Sequence, residues 1–268
     1  MKNCIVAMVL TMMASLTAHA EDMRKYLNDT QTLVRDGKHE EALERFIWFH
    51  DHALEHQPSM YGVRLSFALS YWKQLGDVYP PALTALKTTR DYKTDLFVQN
   101  KGNRNLFHDV MALNRTLGQD IKTVDLFRTL DKDQADLAKE CWDVAKDAVI
   151  KEKAYDLARK YIGNPIREWG KVKQMYEMKK AMYGGKNFGE HFKAYNENNF
   201  VEESLKLIEV ALALDDAEAA HEIKSKASAI IDDNRLNDAM PEERRKDAQQ
   251  AEFTVPSKAA PSASSDVR

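Results

Sequence analysis

Two cysteines, seven prolines and ten glycines are all that 268 residues contain of the types that staple, kink or loosen a backbone. No stretch shows the alternating β-branched pattern of a strand, so strands are excluded and nearly continuous helix is expected. One of the two cysteines, Cys4, lies in the first residues. The other, Cys141, cannot pair within the chain, so stability must come from apolar packing. Cys141 sits in helical periodicity with no flanking His or CxxC partner, and a buried, unreactive thiol is expected. An excess of basic charge is also missing. Lys and Arg total 39 against 42 acidic residues, both signs interleaved along the helices, which argues against nucleic acid and describes a solvated surface. Nucleophile elbows, phosphate-cradling glycine loops, paired-cysteine zinc spacings and predictable carboxylate pairs are absent too.

What is present begins with a leader. Met1, Lys2 and Asn3 form a basic start, Cys4 to Leu16 is almost uninterruptedly apolar, and Ala18-His19-Ala20 is a small-x-small cleavage site ahead of Glu21-Asp22. The apolar run falls short of the roughly 20 residues that span a bilayer, and no later run approaches that length. The expectation is a signal peptide, residues 1–20, cleaved after Ala20, and a periplasmic or secreted bacterial protein with no membrane span. Cys4 lies too early for a lipoprotein anchor. Removing Lys2 with the leader takes the formal charge from −3 to −4.

Helices are expected at 23–36, 39–56, 59–75, 80–99, 104–117, 119–131, 134–151, 154–162, 166–183, 188–197, 200–213 and 215–231. Gly37, Gly76 and Gly118 suit helix-closing turns, while Pro58, Pro80, Pro81 and Pro165 sit where the next helix starts. Turn centres near Gly37, Gly76, Gly118, Lys153 and Asn198 are 39, 42, 35 and 45 residues apart. This recurrence points to an all-α helical-hairpin repeat array, an α-solenoid of about five to six helix pairs over residues 21–232. From 233 to 268 the chain turns densely charged and then rich in Ser, Ala and Pro, and disorder is expected there.

Gly37-Lys38-His39-Glu40-Glu41-Ala42-Leu43-Glu44-Arg45-Phe46 resembles the turn and second helix of a tetratricopeptide (TPR) unit, and Tyr155, Ala158 and Ile162 repeat its aromatic, small, large order. The turn spacings depart from the family's 34-residue period, and its Trp-Leu-Gly-Tyr pattern is missing from the first helices. The resemblance implies a right-handed superhelix that binds a protein or peptide partner in its concave groove.

Helical-wheel positions single out a few polar residues. His50 falls inside the apolar arc of Leu43, Phe46, Ile47 and Leu54. The segment Tyr61 to Leu75 is apolar around most of its circumference, Phe67 and Trp72 included, so it should be enclosed by neighbours, and Arg64 in it must find an acceptor. His108 lies at the edge of the face formed by Leu106, Val110 and Leu113, next to Asp109. Two arrangements follow. In the first, His50, Arg64, Trp72, His108 and Asp109, with Asp51, gather in a groove as a binding site, and Arg64 holds an anionic or carboxylate-bearing ligand. In the second, His50 bonds a backbone carbonyl, Arg64 pairs with an acid such as Glu55, and His108 faces water.

His52 and His56 are one turn apart and could chelate together, but no third ligand accompanies them, so no metal and no cofactor is expected. Met175, Met178 and Met182 recur at helical spacing and read as core. The function these features favour is a non-catalytic interaction module for a protein or peptide. The alternative is a ligand-binding protein, or an enzyme of hydrolase or lyase type, with a polar pocket around His50, Arg64 and His108.

Overall fold

A computed structural model describes residues 22–183 and 189–240. The expected leader, residues 1–20, and the tail beyond Met240 lie outside the described residues. Those described form thirteen α-helices and no strand. None of these helices is long and apolar enough to cross a membrane. The chain divides into two compact units, one ending at Ala148 and one beginning at Val149.

The first unit holds α1 (Met23–Arg35), α2 (His39–His56), a 3-10 turn at Pro58–Met60, α3 (Tyr61–Arg64), α4 (Phe67–Val78), α5 (Pro80–Leu96), α6 (Arg104–Thr116), α7 (Asp120–Asp133) and most of α8 (Ala135–Lys151). A π-turn at Phe97–Lys101 links α5 and α6. Successive helices pack as pairs, α1 on α2, α4 on α5 and α6 on α7, while α4 also lies against α2 and α6. Side-chain caps start several helices: Asp22 accepts from the amides of Arg24 and Lys25, and Asn103 from Leu106. Closures repeat as well. Gly37 at φ +75° and Gly118 at φ +66° take the left-handed conformation, and the next amide reaches back five residues, Lys38 to Leu33 and Gln119 to Asn114. Lys153, at φ +57°, makes the same closure without a glycine.

Gly76 is not such a turn. It is buried inside α4, and a Cβ there would stand 3.0 Å from the backbone nitrogen of Leu83, so its smallness serves the close approach of α5. The enclosed helix expected over 59–75 is also interrupted. The backbone breaks at Leu65 and Ser66, whose hydroxyl donates to Gly62 O at 2.7 Å, and α4 then buries one face through Ala68, Leu69, Trp72 and Leu75. Phe67, on the opposite face, is 61% exposed. Met23, Phe46, Phe49, Met60, Leu69 and Leu86 complete the centre of this core.

The second unit holds α9 (Tyr155–Ile162), α10 (Pro165–Tyr183), α11 (Glu190–Ala213), α12 (Ala217–Ser228) and α13 (Asn234–Asn237). α10 packs on α11 and α11 on α12. Trp169 and Tyr176 of α10 meet Phe200 of α11, and the Trp169 indole donates to Ser204 Oγ at 3.0 Å. The turn expected near Asn198 is absent, since α11 runs through it. Asn198 spends its amide outward, donating to Glu202 and accepting from Arg235, so it does not compete with the helix backbone. The folded chain also continues past Asp232: Leu236 and Met240 are buried, and α13 packs on α11 and α12. Met175, Met178 and Met182, read as core from their spacing, are 47–54% exposed, because Trp169 and Tyr176 take the buried face of α10.

Candidate functional site

The first unit gathers His50, Arg64, His108 and Asp109, from four sites spread over sixty residues, at the meeting of α2, α3 and α6. Arg64 ends α3, where the backbone break frees its side chain to turn inward. Its Nη1 donates to Asp109 Oδ2 at 3.1 Å and to the backbone carbonyl of His50 at 3.1 Å, and its Nη2 donates to Asp109 Oδ1. Lys93 of α5 adds a third cationic contact, donating to Asp109 Oδ2 at 2.9 Å and lying 3.9 Å from Asp51. Arg64 and Asp109 are both buried. A guanidinium held by both oxygens of one carboxylate uses the fork that a ligand carboxylate would need.

Burial and neighbouring charges together set the protonation states. Burial alone would raise the Asp109 carboxyl, but the hydrogen bonds and charges of Arg64 and Lys93 outweigh it and hold the group below the ordinary carboxylate range. His50 is 2% exposed, with its ring edge-on to Trp72. Burial, then Arg64 and Lys93, push it down to about 3 against the opposing pull of Asp109, so the imidazole is neutral. Among the described residues, neither ring nitrogen of His50, nor Nε of Arg64, meets a hydrogen-bond partner. His108 is half-buried and shares a 2.9 Å hydrogen bond between its Nδ1 and the Tyr61 hydroxyl. Burial and then Arg104 lower its pKa, while burial and then Asp109 raise that of Tyr61.

These contacts alter the expected pairings. Arg64 takes Asp109 and not Glu55, which instead sits 3.2 Å from His52. The carbonyl at His50 is its own and accepts from Arg64, and His108 meets Tyr61 instead of water alone. Trp72 is 1% exposed and donates its indole N–H to Ala82 O at 3.0 Å. It is a core residue and cannot touch a partner. His52 and His56 both lie against the Trp48 ring, and among the described residues no group of three or more His, Cys, Asp or Glu is placed to hold a metal ion. Cys141 is buried, and burial pushes its thiol up to about 12.

Lys93 and Arg90 were missed by sequence reasoning, although a signal existed: Ala82, Leu86, Arg90 and Lys93 recur at helical spacing on the inward face of α5. Arg90 is 4% exposed and donates to Asn114 Oδ1 at 3.0 Å and Gln119 Oε1 at 2.6 Å.

Open space lies elsewhere in this unit. A hollow of about 620 Å³ runs between Ile47 of α2 and Pro81, Ala85 and Thr88 of α5. One of about 590 Å³ lies at Glu40, Glu44 and Tyr79, and one of about 430 Å³ lies at the α3–α4 break between Phe67 and Arg115. His50, Arg64, His108 and Asp109 line none of the three. No family model, curated protein or solved structure matches this chain.

Proposed function

We propose that the chain is a TPR-like helical-repeat module, secreted or periplasmic, that binds a protein or peptide partner and performs no catalysis itself. One observation carries this reading: the residue best suited to hold a ligand anion, Arg64, is already occupied on both Nη atoms by Asp109 inside the core. His50, Arg64, Trp72 and Asp109 then act as framework, tying α2, α3, α4 and α6 together. The paired packing of α1 to α7 and the recurring left-handed closures support the repeat architecture. The leader-like first twenty residues support export.

The alternative of a ligand-binding protein or enzyme draws on one specific observation, the unpartnered ring of His50 beside the unpartnered Arg64 Nε. Cross-linked affinity capture from a periplasmic extract, run beside native mass spectrometry of the purified chain, separates the two. A protein partner with no small-molecule adduct is expected. A stoichiometric small molecule, absent from a folded His50→Ala variant, overturns the interaction reading in favour of the alternative.

A further inference from the structure

We infer that the groove between α2 and α5 receives a short extended peptide segment carrying a basic residue at one end and apolar side chains along the rest. This deepens, and rests on, the reading of the chain as a binder of proteins or peptides. The two hollows follow one another along both helices: Glu44 borders one and Ile47, a turn later, the other, while Tyr79 and Pro80 divide in the same way at the start of α5. On α2, Glu40, Glu44 and Ile47 recur at helical spacing and form one stripe about 10 Å long at about 1.5 Å per residue. That is the reach of about three extended residues. On α5 the facing stripe is Pro81, Ala85 and Thr88.

Charge selects the occupant's polarity. Glu40, Glu41 and Glu44 are exposed at one end of the groove and among the described residues no ion pair engages them, while Lys38 is the one Lys or Arg among the described residues lining that hollow. Beyond Glu44 the walls turn apolar at Ile47, Pro80, Pro81 and Ala85. A lysine or arginine followed by apolar side chains complements that order. Backbone chemistry selects an extended form. Thr84 and Thr88, one helical turn apart, line the wall with side chains that can donate and accept, and an extended chain brings unpaired N–H and C=O groups to such a wall, whereas a helix has already paired its own.

The test is selection of a random heptapeptide library against the chain, followed by fluorescence anisotropy of the strongest labelled peptide. Enriched peptides are expected to carry Lys or Arg next to apolar residues. Their affinity should fall at least 10-fold on Glu40→Lys with Glu44→Lys, and at least 10-fold on Ala85→Arg, with circular dichroism showing each variant folded. Replacing the peptide's basic residue by Glu should restore binding to the double lysine variant. Acidic or neutral enriched peptides, or binding indifferent to these substitutions, overturn the groove assignment and leave the broader interaction reading standing, as does capture of a protein partner with no peptide enriched. Neither peptide nor partner overturns both.

Discussion

Two buried guanidiniums in the first unit solve the same problem with different chemistry. Arg64 is 5% exposed and meets a full charge, Asp109, which Lys93 also shares. Arg90 is 4% exposed and meets the neutral amide oxygens of Asn114 and Gln119, with Asp91 beside its Nε in contact with solvent. The first arrangement concentrates three charges in the core and depends on all of them. The second spreads one charge over two neutral dipoles and leaves its carboxylate partner, Asp91, in solvent. A buried ion pair is costly to break because the surviving partner is stranded, whereas losing one of several neutral acceptors leaves the cation partly satisfied.

The comparison breaks most sharply at Asp109. Asp109→Leu strands Arg64 and Lys93 and should lower stability by about 3–5 kcal/mol in urea unfolding. Adding Arg64→Met should recover most of that loss; failure to recover would mean that the carboxylate does more than balance Arg64. Acid is the next lever. His50 is neutral in the fold with its pKa at about 3, but protonates near 6.5 when unfolded, so the unfolded chain binds the extra proton as pH falls below 6.5. Stability should therefore drop by about 1.4 kcal/mol per pH unit between those values, a slope that His50→Phe removes. Asp109, with a depressed folded pKa, contributes stability above the ordinary carboxylate range and loses it as pH falls through its folded value, so its part of the acid loss comes later. Stability against pH for wild type and His50→Phe reads both.

Smaller effects belong to Arg90. Asn114→Ala removes its acceptor and the partner of the Thr123 hydroxyl, and should cost about 1–3 kcal/mol with no change in the acid slope. Gln119→Ala, at a half-buried position, should cost about 1 kcal/mol. A new acid dependence in either would erase the distinction between the two sites.

Helix positions were readable because each depends on neighbours in sequence. The α2 range 39–56 and the starts at Pro80 and Pro165 follow from periodicity, glycine closures and prolines. Two local signals misled. Gly76 looks like a closure but is small for the sake of Leu83, and Asn198 looks like a breaker but bonds outward. The candidate site was readable only as residue types. His50 and Arg64 stood out as polar groups on apolar arcs, yet the partner of Arg64 lies 45 residues away, while the nearer Glu55 points elsewhere. α10 carries apolar residues on two faces, and composition alone could not choose between Trp169 with Tyr176 and the methionines.

Helicity, the absence of an internal disulfide, the closing turns and the balance of charge all belong to the linear chain, because caps, propensities and 3.6-residue periodicity act over a few residues. Tertiary packing alone decided that Arg64 closes on Asp109, that Trp72 is core and the methionines are not, and that α2 and α5 stand apart as a groove. Those outcomes turn on desolvation and on competition among distant partners, and both exist only once the helices have docked.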